Sequence, residues 1–136
     1  MREILFRGKR MDNGEWIYGY YFQKKNLFSE DGLPVIHGIS DEPPFGAKVE
    51  PKTVGQYTGL TDKNGVKIFE GDIIKIPDDY EEFGHNAGEI YEIYFGCGGF
   101  RLKPKYSKAR GYWLEDDKTV DVIGNIHDNK EILDAE

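Results

Sequence analysis

Short runs of apolar and aromatic residues, broken by Gly, Asn and Asp, follow one another along the chain. Residues 4–22 hold two such runs around Asn13-Gly14, and residues 58–69 hold two more around Asn64-Gly65. An Asn-Gly pair tolerates the positive φ angles of a tight hairpin turn, and the flanking residues favour strands. The pattern therefore predicts two β-hairpins. The residues that the two hairpin segments share are those that hairpin turns require, so we favour common turn chemistry over an internal duplication.

The residues after the second hairpin predict a strand of a small, strongly bent sheet. Glu70-Gly71-Asp72 precedes the apolar run Ile73–Ile76. Gly71 can adopt a backbone conformation closed to other residues, and Asp72 can accept hydrogen bonds from nearby amides. In the same way, Asp62 can accept a hydrogen bond from the amide two residues further on. These polar residues are explained by folding, and no functional site is needed to account for them.

Further strands and two long loops complete the predicted architecture. Residues 29–52 carry four of the six prolines, and residues 77–89 are acidic without Lys or Arg, so both are predicted to be long loops. The last residues allow one or two helical turns. The remaining strands are predicted at Val35–Ile39, 90–95, 100–104, Tyr112–Leu114 and Val120–Ile126.

The length and composition suit one folded protein of this kind. A chain of 136 residues can bury a core, and 17 glycines with 14% aromatic residues agree with many short strands and turns. We predict a single domain over residues 1–136, and a subdivision into residues 1–48 and 49–136 is left open.

Charge and cysteine content limit the compartment and the partners. The net charge of −7 disfavours non-specific binding to phosphate backbones, although a local basic patch can override it. One cysteine excludes an intramolecular disulfide framework and suits a reducing compartment. The N-terminal apolar stretch is too short for a signal peptide, and no apolar run could span a bilayer. We expect a cytoplasmic protein with no membrane partner.

Residue patterns that would predict catalysis or a cofactor are missing from the sequence. His37, His85 and His127 share no metal-ligand spacing, and Cys97 has no nearby histidine. The paired carboxylates fall in predicted loops, where a carboxyl is solvated and its pKa is not raised by burial. We therefore expect a protein that is not an enzyme, with no cofactor and no bound metal.

One segment, residues 100–113, predicts a binding surface. It contains five basic residues, interleaved with aromatic residues, and no acidic residue. Such a mixture can hold single-stranded nucleic acid through phosphate contacts and base stacking. It is also typical of an edge strand that lysines protect from aggregation, and it could contact an acidic protein surface. The candidate residues, here called the 100–113 patch, are Arg101, Lys103, Lys105, Tyr106, Lys108, Arg110 and Trp113.

Three stretches of the chain resemble the YopX family. They are REILFRGKRMDNGEWIYGYYF (2–22), VGQYTGLTDKNGVKIFEGDIIKI (54–76) and VIGNIHDNKEIL (122–133), in similar order and spacing. The resemblance covers nearly the whole chain, and the two long loops match less well. It implies a small protein of the kind encoded by bacteriophages and prophages of Gram-positive bacteria, and it carries over no catalytic residue. It also implies an all-β fold, an SH3-like small barrel or roll with long loops, to which the sequence adds a short C-terminal helix.

These observations favour a non-catalytic protein-interaction module of phage or prophage type. Its expected partner is a host or phage protein in the cytoplasm of the bacterial host cell. The alternative is a nucleic-acid-binding accessory protein that uses residues 100–113. Exposed strand edges also leave a homo-oligomer open.

Overall fold

The computed structural model describes residues 4–22, 33–38, 46–76, 88–96, 98–104, 112–113 and 120–134. Strands account for most of these residues, which confirms the predicted all-β class. A 3₁₀ helix spans Pro51–Thr53, and the predicted C-terminal helix is α1, Lys130–Asp134. The strands are β1 (Phe6–Lys9), β2 (Trp16–Phe22), β3 (Val35–Gly38), β4 (Gly46–Lys48), β5 (Gly55–Thr61), β6 (Lys67–Phe69), β7 (Asp72–Lys75), β8 (Ile90–Gly96), β9 (Gly99–Pro104), β10 (Tyr112–Trp113) and β11 (Asp121–Asn125).

The strands form two antiparallel sheets. The strand order is β4-β3-β2-β1-β5-β6 in the first sheet and β10-β9-β8-β7-β11 in the second. Across the residues that the structure describes, neither sheet closes on itself. The predicted SH3-like barrel is therefore not confirmed, whereas the all-β class is. Nowhere in the described ranges is a helix long and apolar enough to cross a bilayer.

Contacts within the chain divide it into two units, Met1–Tyr57 and Thr58–Glu136. We call them unit 1 and unit 2. Strand β5 runs across the boundary between them. The prediction of a single domain, with its open subdivision at residues 48 and 49, stays a prediction.

The first predicted hairpin is present in unit 1. Strands β1 and β2 pair from Phe6 opposite Gly19 to Lys9 opposite Trp16. In the turn, the backbone N–H of Glu15 donates to the side-chain oxygen of Asn13 at 2.9 Å. Gly14 has a φ of 72°, as the Asn-Gly pair predicts.

The predicted loop 29–52 contains more regular structure than the sequence indicates. The predicted strand Val35–Ile39 is present as β3, with its bounds at Val35–Gly38. A further strand, β4 (Gly46–Lys48), pairs with β3 and was not predicted. Its first two residues, Gly and Ala, have low strand propensity, so this strand depends on pairing with β3 rather than on its own sequence.

Asp62 holds the turn of the second hairpin in unit 2. Its carboxylate is 3% exposed and accepts the backbone N–H groups of Asn64 at 2.8 Å and Val66 at 2.9 Å. The other carboxylate oxygen accepts the N–H of Val122 at 3.1 Å. Burial alone would raise the pKa of Asp62, but these three N–H donors outweigh it, so the pKa is lowered. The predicted turn-building role of Asp62 is confirmed.

The predicted Gly-Asp pair is likewise structural. Gly71 has a φ of 92°, and Gly65 in the preceding turn has a φ of 82°. The buried carboxylate of Asp72 accepts the backbone N–H of Phe69 at 2.7 Å. Gly71 and Asp72 therefore build the connection between β6 and β7, as expected from the sequence.

The core of unit 2 lies against one face of the second sheet. In β8, Tyr91 and Ile93 are buried and alternate with less buried residues, which is the period of a strand with one face on a core. Burial of each large apolar side chain stabilises the fold by roughly 1.5–3 kcal/mol. The buried cluster consists of Ile68, Ile74, Ile76, Tyr91, Ile93, Leu102 and Val120.

The strands predicted in the second half of the chain are confirmed within about two residues at each end. Strand β8 extends the predicted run 90–95 by one residue, and β9 begins one residue before position 100. Strand β11 is one residue shorter at each end than Val120–Ile126. Strand β10 ends at Trp113, and the next predicted residue, Leu114, lies outside the described residues.

Candidate binding face

Only part of the predicted 100–113 patch is described by the structure. Arg101 and Lys103 lie on β9, and the backbone of Trp113 on β10 pairs opposite Arg101. The other candidates lie outside the described residues, so the patch as a whole stays a prediction. These are Lys105, Tyr106, Lys108 and Arg110.

The sheet brings an acidic residue next to the described part of that patch. Arg101 and Lys103 lie on the face of β9 opposite to the buried Leu102. Glu92 on β8 is directly opposite Lys103 in the ladder. Opposite charges in this position attract each other, and Glu92 therefore reduces the positive charge that an approaching ligand meets at Lys103.

A second set of basic and aromatic residues lies on one face of the first sheet, within unit 1. Trp16, Tyr18 and Tyr20 occupy alternate positions of β2, so their side chains share a face. Residues directly opposite in an antiparallel ladder lie on the same face. The register places one basic residue opposite each ring: Lys9 opposite Trp16, Arg7 opposite Tyr18, and His37 opposite Tyr20.

We call this surface the basic-aromatic face. It extends to Lys48 on β4, which is opposite Val35 and so lies on the side of the sheet that His37 occupies. No position on this face within the described residues of β1 to β5 holds Asp or Glu. The face comprises Arg7, Lys9, Trp16, Tyr18, Tyr20, His37 and Lys48.

The middle of β2 is the exposed part of this face. Tyr18 is 40% exposed and Tyr20 is 55% exposed. Val35 and Tyr57 share the face on β3 and β5 and are buried. Large aromatic side chains that stay exposed as a group are typical of interaction sites.

Two cations hold the ring of Trp16. The guanidinium carbon of Arg7 lies 4.6 Å from the centre of that ring, and the ammonium nitrogen of Lys9 lies 5.6 Å from it. Both distances fall within the range of cation–π attraction. Arg7 is only 6% exposed, so its role is to fix the ring rather than to meet a ligand. Lys9 is half-buried and lies nearer the surface.

The opposite face of the same sheet is apolar. Ile36 on β3 is fully buried there, and the rings of Phe6 and Tyr21 pack with their centres 5.3 Å apart. Ile17 on β2 also lies on this side. Within unit 1, the first sheet therefore has one apolar face and one basic-aromatic face.

The charge of the chain is unevenly divided between the units. Of the 18 Lys and Arg residues, eight belong to unit 1; of the 25 Asp and Glu residues, eight also belong to unit 1. Unit 2 has the remaining ten basic and 17 acidic residues, so the whole net charge of −7 belongs to unit 2. The basic-aromatic face thus lies on the unit without an acidic excess.

Sequence reasoning missed this face because its basic residues and its rings lie on different strands. The available signal was the alternation in WIYGYYF, which puts Trp16, Tyr18 and Tyr20 on one side of a strand. Only the ladder between β2 and β3 brings His37 to the same place. The segment 100–113 was predicted as the binding surface instead, because its basic and aromatic residues are contiguous in the sequence.

The histidine and cysteine positions give no metal centre within the part of the chain that the structure describes. No group of three His, Cys, Asp or Glu side chains there could hold a metal ion. The ring nitrogen Nδ1 of His37 lies 3.1 Å from the carbonyl oxygen of Gly38. His85 and Cys97 lie outside the described residues.

The fold and this surface define an all-β protein of two antiparallel sheets, one of which carries a basic-aromatic face. The model of the YopX protein family matches residues 5–134. The chain therefore belongs to the YopX family, and the family assignment made from the sequence is confirmed.

A solved structure with a similar fold is the crystal structure of protein EF1440 from Enterococcus faecalis. The two chains are 25% identical and superpose with a TM-score of 0.59. The match covers 98% of this chain and 99% of that chain, so the similarity extends over nearly the whole of both chains. No curated protein matches the chain.

Proposed function

We propose that this protein is a non-catalytic binding module that holds its partner on the basic-aromatic face. The observation that carries the proposal is the row of Trp16, Tyr18 and Tyr20, with a basic residue opposite each ring. Trp, Tyr and Arg are the side chains most enriched among residues that dominate binding energy. They combine a large contact area with a polar or charged tip.

The form of the surface favours binding over chemistry. Many catalytic sites close around the substrate and expel water from the reacting atoms. The basic-aromatic face is one side of an open sheet, and the exposed rings in its middle offer area and stacking to a large partner. Its cations add positive charge around those rings.

The setting of this activity is also part of the proposal. The family resemblance implies a phage or prophage protein, and the single cysteine suits a reducing compartment. We place the binding module in the cytoplasm of a bacterial host, where its partner is a host or phage molecule.

The test is a pull-down from host lysate with three baits that differ in exposed aromatic residues. The first is the wild type and the second is the double variant Tyr18→Ser/Tyr20→Ser. The third is Phe95→Ser, which removes a ring that is 54% exposed on unit 2 and so serves as the matched control. Thermal unfolding of all three baits confirms that they are folded.

We expect molecules that both the wild type and Phe95→Ser capture and that the double variant loses. Mass spectrometry identifies captured proteins, and gel staining after nuclease or mock treatment identifies nucleic acid. The proposal fails if the double variant captures the same molecules as the wild type, or if no bait captures anything.

A further inference from the structure

We propose that the basic-aromatic face binds single-stranded nucleic acid, with bases stacked on the rings of β2 and phosphates held by the cations beside them. This rests on the proposed function, since it names the class of partner for the same surface. It also assigns a site that lies outside the segment 100–113.

The spacing of the rings suits successive bases. Side chains two positions apart on a strand lie about 6.8 Å apart, so Trp16, Tyr18 and Tyr20 form a regular row. Each ring offers a π-face, and stacking on an aromatic side chain tolerates any base. Arg7 and Lys9 hold the Trp16 ring at one end of this row before any ligand arrives.

Basic residues flank the row on both sides. Lys9 lies on β1, on one side of β2, and His37 and Lys48 lie on β3 and β4, on the other side. A single nucleic-acid strand that stacks its bases along β2 would therefore place its sugar-phosphate backbone beside a basic residue, on whichever side of β2 that backbone lies. The described strand positions of this face hold no carboxylate that would repel phosphate.

The same features favour a single strand over a duplex. A duplex keeps its bases stacked on one another, so they cannot stack on the exposed rings of the sheet. A duplex would therefore contact this face through its phosphates only. A single strand can place its unstacked bases on those rings and its phosphates on the flanking cations at once. DNA and RNA share this chemistry, and RNA adds a 2′-hydroxyl that a protein can use to distinguish them.

The experiment measures the anisotropy of fluorescent oligonucleotides with the purified full-length protein. The probes are oligothymidylate, oligouridylate and a mixed-sequence duplex, each of about 12 units, within the usual site size for single-strand binding. We expect both single strands to bind more tightly than the duplex. A difference between the two single strands identifies DNA or RNA as the preferred ligand.

Substitutions of the exposed ring distinguish stacking from general attraction. We expect Tyr20→Ala to weaken single-strand binding by about 5- to 150-fold, the usual effect of losing one stacked base. Tyr20→Phe keeps the ring and should restore most of the affinity. Phe95→Ala, the matched exposed ring on unit 2, should leave the affinity unchanged.

A charge substitution tests the phosphate contacts separately. Lys48→Gln should lower the slope of log K against log salt concentration by about 0.7 for each phosphate that the lysine neutralises in the wild type. Lys52→Gln is the matched control, because Lys52 is an exposed lysine of the same unit on the 3₁₀ helix Pro51–Thr53. The control should leave that slope unchanged.

Three results would overturn the inference. The first is that no single strand binds up to about 100 µM protein, which is the weak end of non-specific affinities. The others are duplex binding as tight as single-strand binding and an unchanged affinity of Tyr20→Ala for single strands. If one of these is found while the pull-down shows nuclease-resistant capture that depends on Tyr18 and Tyr20, the partner is a protein. The proposed function then stands and the nucleic-acid inference fails. Capture that does not depend on these tyrosines removes the proposed function itself.

Discussion

Single residues of this chain show how a charged side chain can serve folding alone. Asp62 is buried, yet all its described partners are backbone N–H groups of its own turn and of Val122. The carboxylate ties the hairpin β5–β6 to residues 60 positions further along the chain. Because the pKa of Asp62 is lowered, the ionised carboxylate stabilises the fold more than the protonated acid does.

We expect Asp62→Asn to lower the free energy of unfolding at pH 7 by about 1–3 kcal/mol, because one N–H donor would face the new amide NH₂. The lowered pKa of Asp62 adds a pH dependence with a definite sign. Its contribution is complete above the unfolded pKa of about 3.8 and is lost as the pH falls through the lower folded pKa.

Guanidinium unfolding at pH 7 and at about pH 3, below the ordinary pKa of Asp, measures both effects. The wild type should lose more stability between these pH values than Asp62→Asn does. Asp134→Asn, at an exposed aspartate of unit 2, is the control and should behave as the wild type. Equal acid losses in the wild type and Asp62→Asn would contradict the account of this carboxylate.

Gly19 gives a second expectation at this scale. A Cβ atom there would collide with the carbonyl oxygen of His37 on the neighbouring strand. We expect Gly19→Ala to lower the free energy of unfolding by more than about 2 kcal/mol, because backbone atoms cannot move aside as a side chain can. At Gly46, in the same sheet, a Cβ would come no closer than 3.4 Å to its nearest neighbour. Chemical denaturation should therefore show a much smaller loss for Gly46→Ala, and equal losses would contradict the close strand approach.

At the scale of strands and turns, local chemistry predicted the elements and left their partners open. Both Asn-Gly turns, the Gly-Asp connection and β8 follow from propensity and from the period of two along a strand. Strand β4 could not be predicted, because its stability comes from pairing with β3 and its own residues favour no strand. Pairing register was equally hidden, since it depends on contacts between distant segments.

The candidate binding face illustrates the same limit. The row Trp16, Tyr18 and Tyr20 could be found in the sequence, because alternation places these rings on one side of a strand. The basic residue beside each ring could not, since Arg7 and His37 reach it only through the ladders β1–β2 and β2–β3. For the segment 100–113, strand pairing instead brings in an acidic residue. Glu92 lies opposite Lys103, although residues 100–113 contain no acidic residue themselves.

Strand β7 should be the most sensitive element of unit 2. Ile73 and Ile74 are both fully buried although they point to opposite faces of the sheet. We expect Ile74→Ala to lower the free energy of unfolding by about 2–5 kcal/mol, from lost burial and the cavity left behind. Ile123→Ala, at an exposed isoleucine of β11, should change it by less than about 0.5 kcal/mol. Comparable losses in the two variants, measured by denaturation, would contradict the assignment of the core.

At the scale of the whole molecule, two surfaces compete for the binding role. The acidic excess of the chain lies entirely in unit 2, which also holds the 100–113 patch, whereas the basic-aromatic face lies in unit 1. An acidic surrounding repels phosphate and weakens a local basic cluster at moderate salt. This division of charge favours unit 1 as the site that a polyanion contacts.

A triple charge reversal distinguishes the two surfaces. We expect Lys103→Glu/Lys105→Glu/Lys108→Glu to reduce oligonucleotide affinity by no more than about tenfold near 0.15 M salt, since none of the three lysines belongs to the basic-aromatic face and salt weakens long-range attraction. The double variant Tyr18→Ser/Tyr20→Ser should abolish detectable binding under the same conditions. A collapse of binding in the triple variant alone would move the site to the 100–113 patch.

A residue-by-residue map of the bound surface would locate the nucleic-acid site directly. Backbone amide resonances of isotope-labelled protein would be followed by NMR while a single-stranded oligonucleotide is added. We expect the shifts to concentrate in β1, β2 and β3, around Tyr18, Tyr20 and His37. Shifts confined to β9 and the residues that follow it, or no shifts at all, would contradict the basic-aromatic face as the site of nucleic-acid binding.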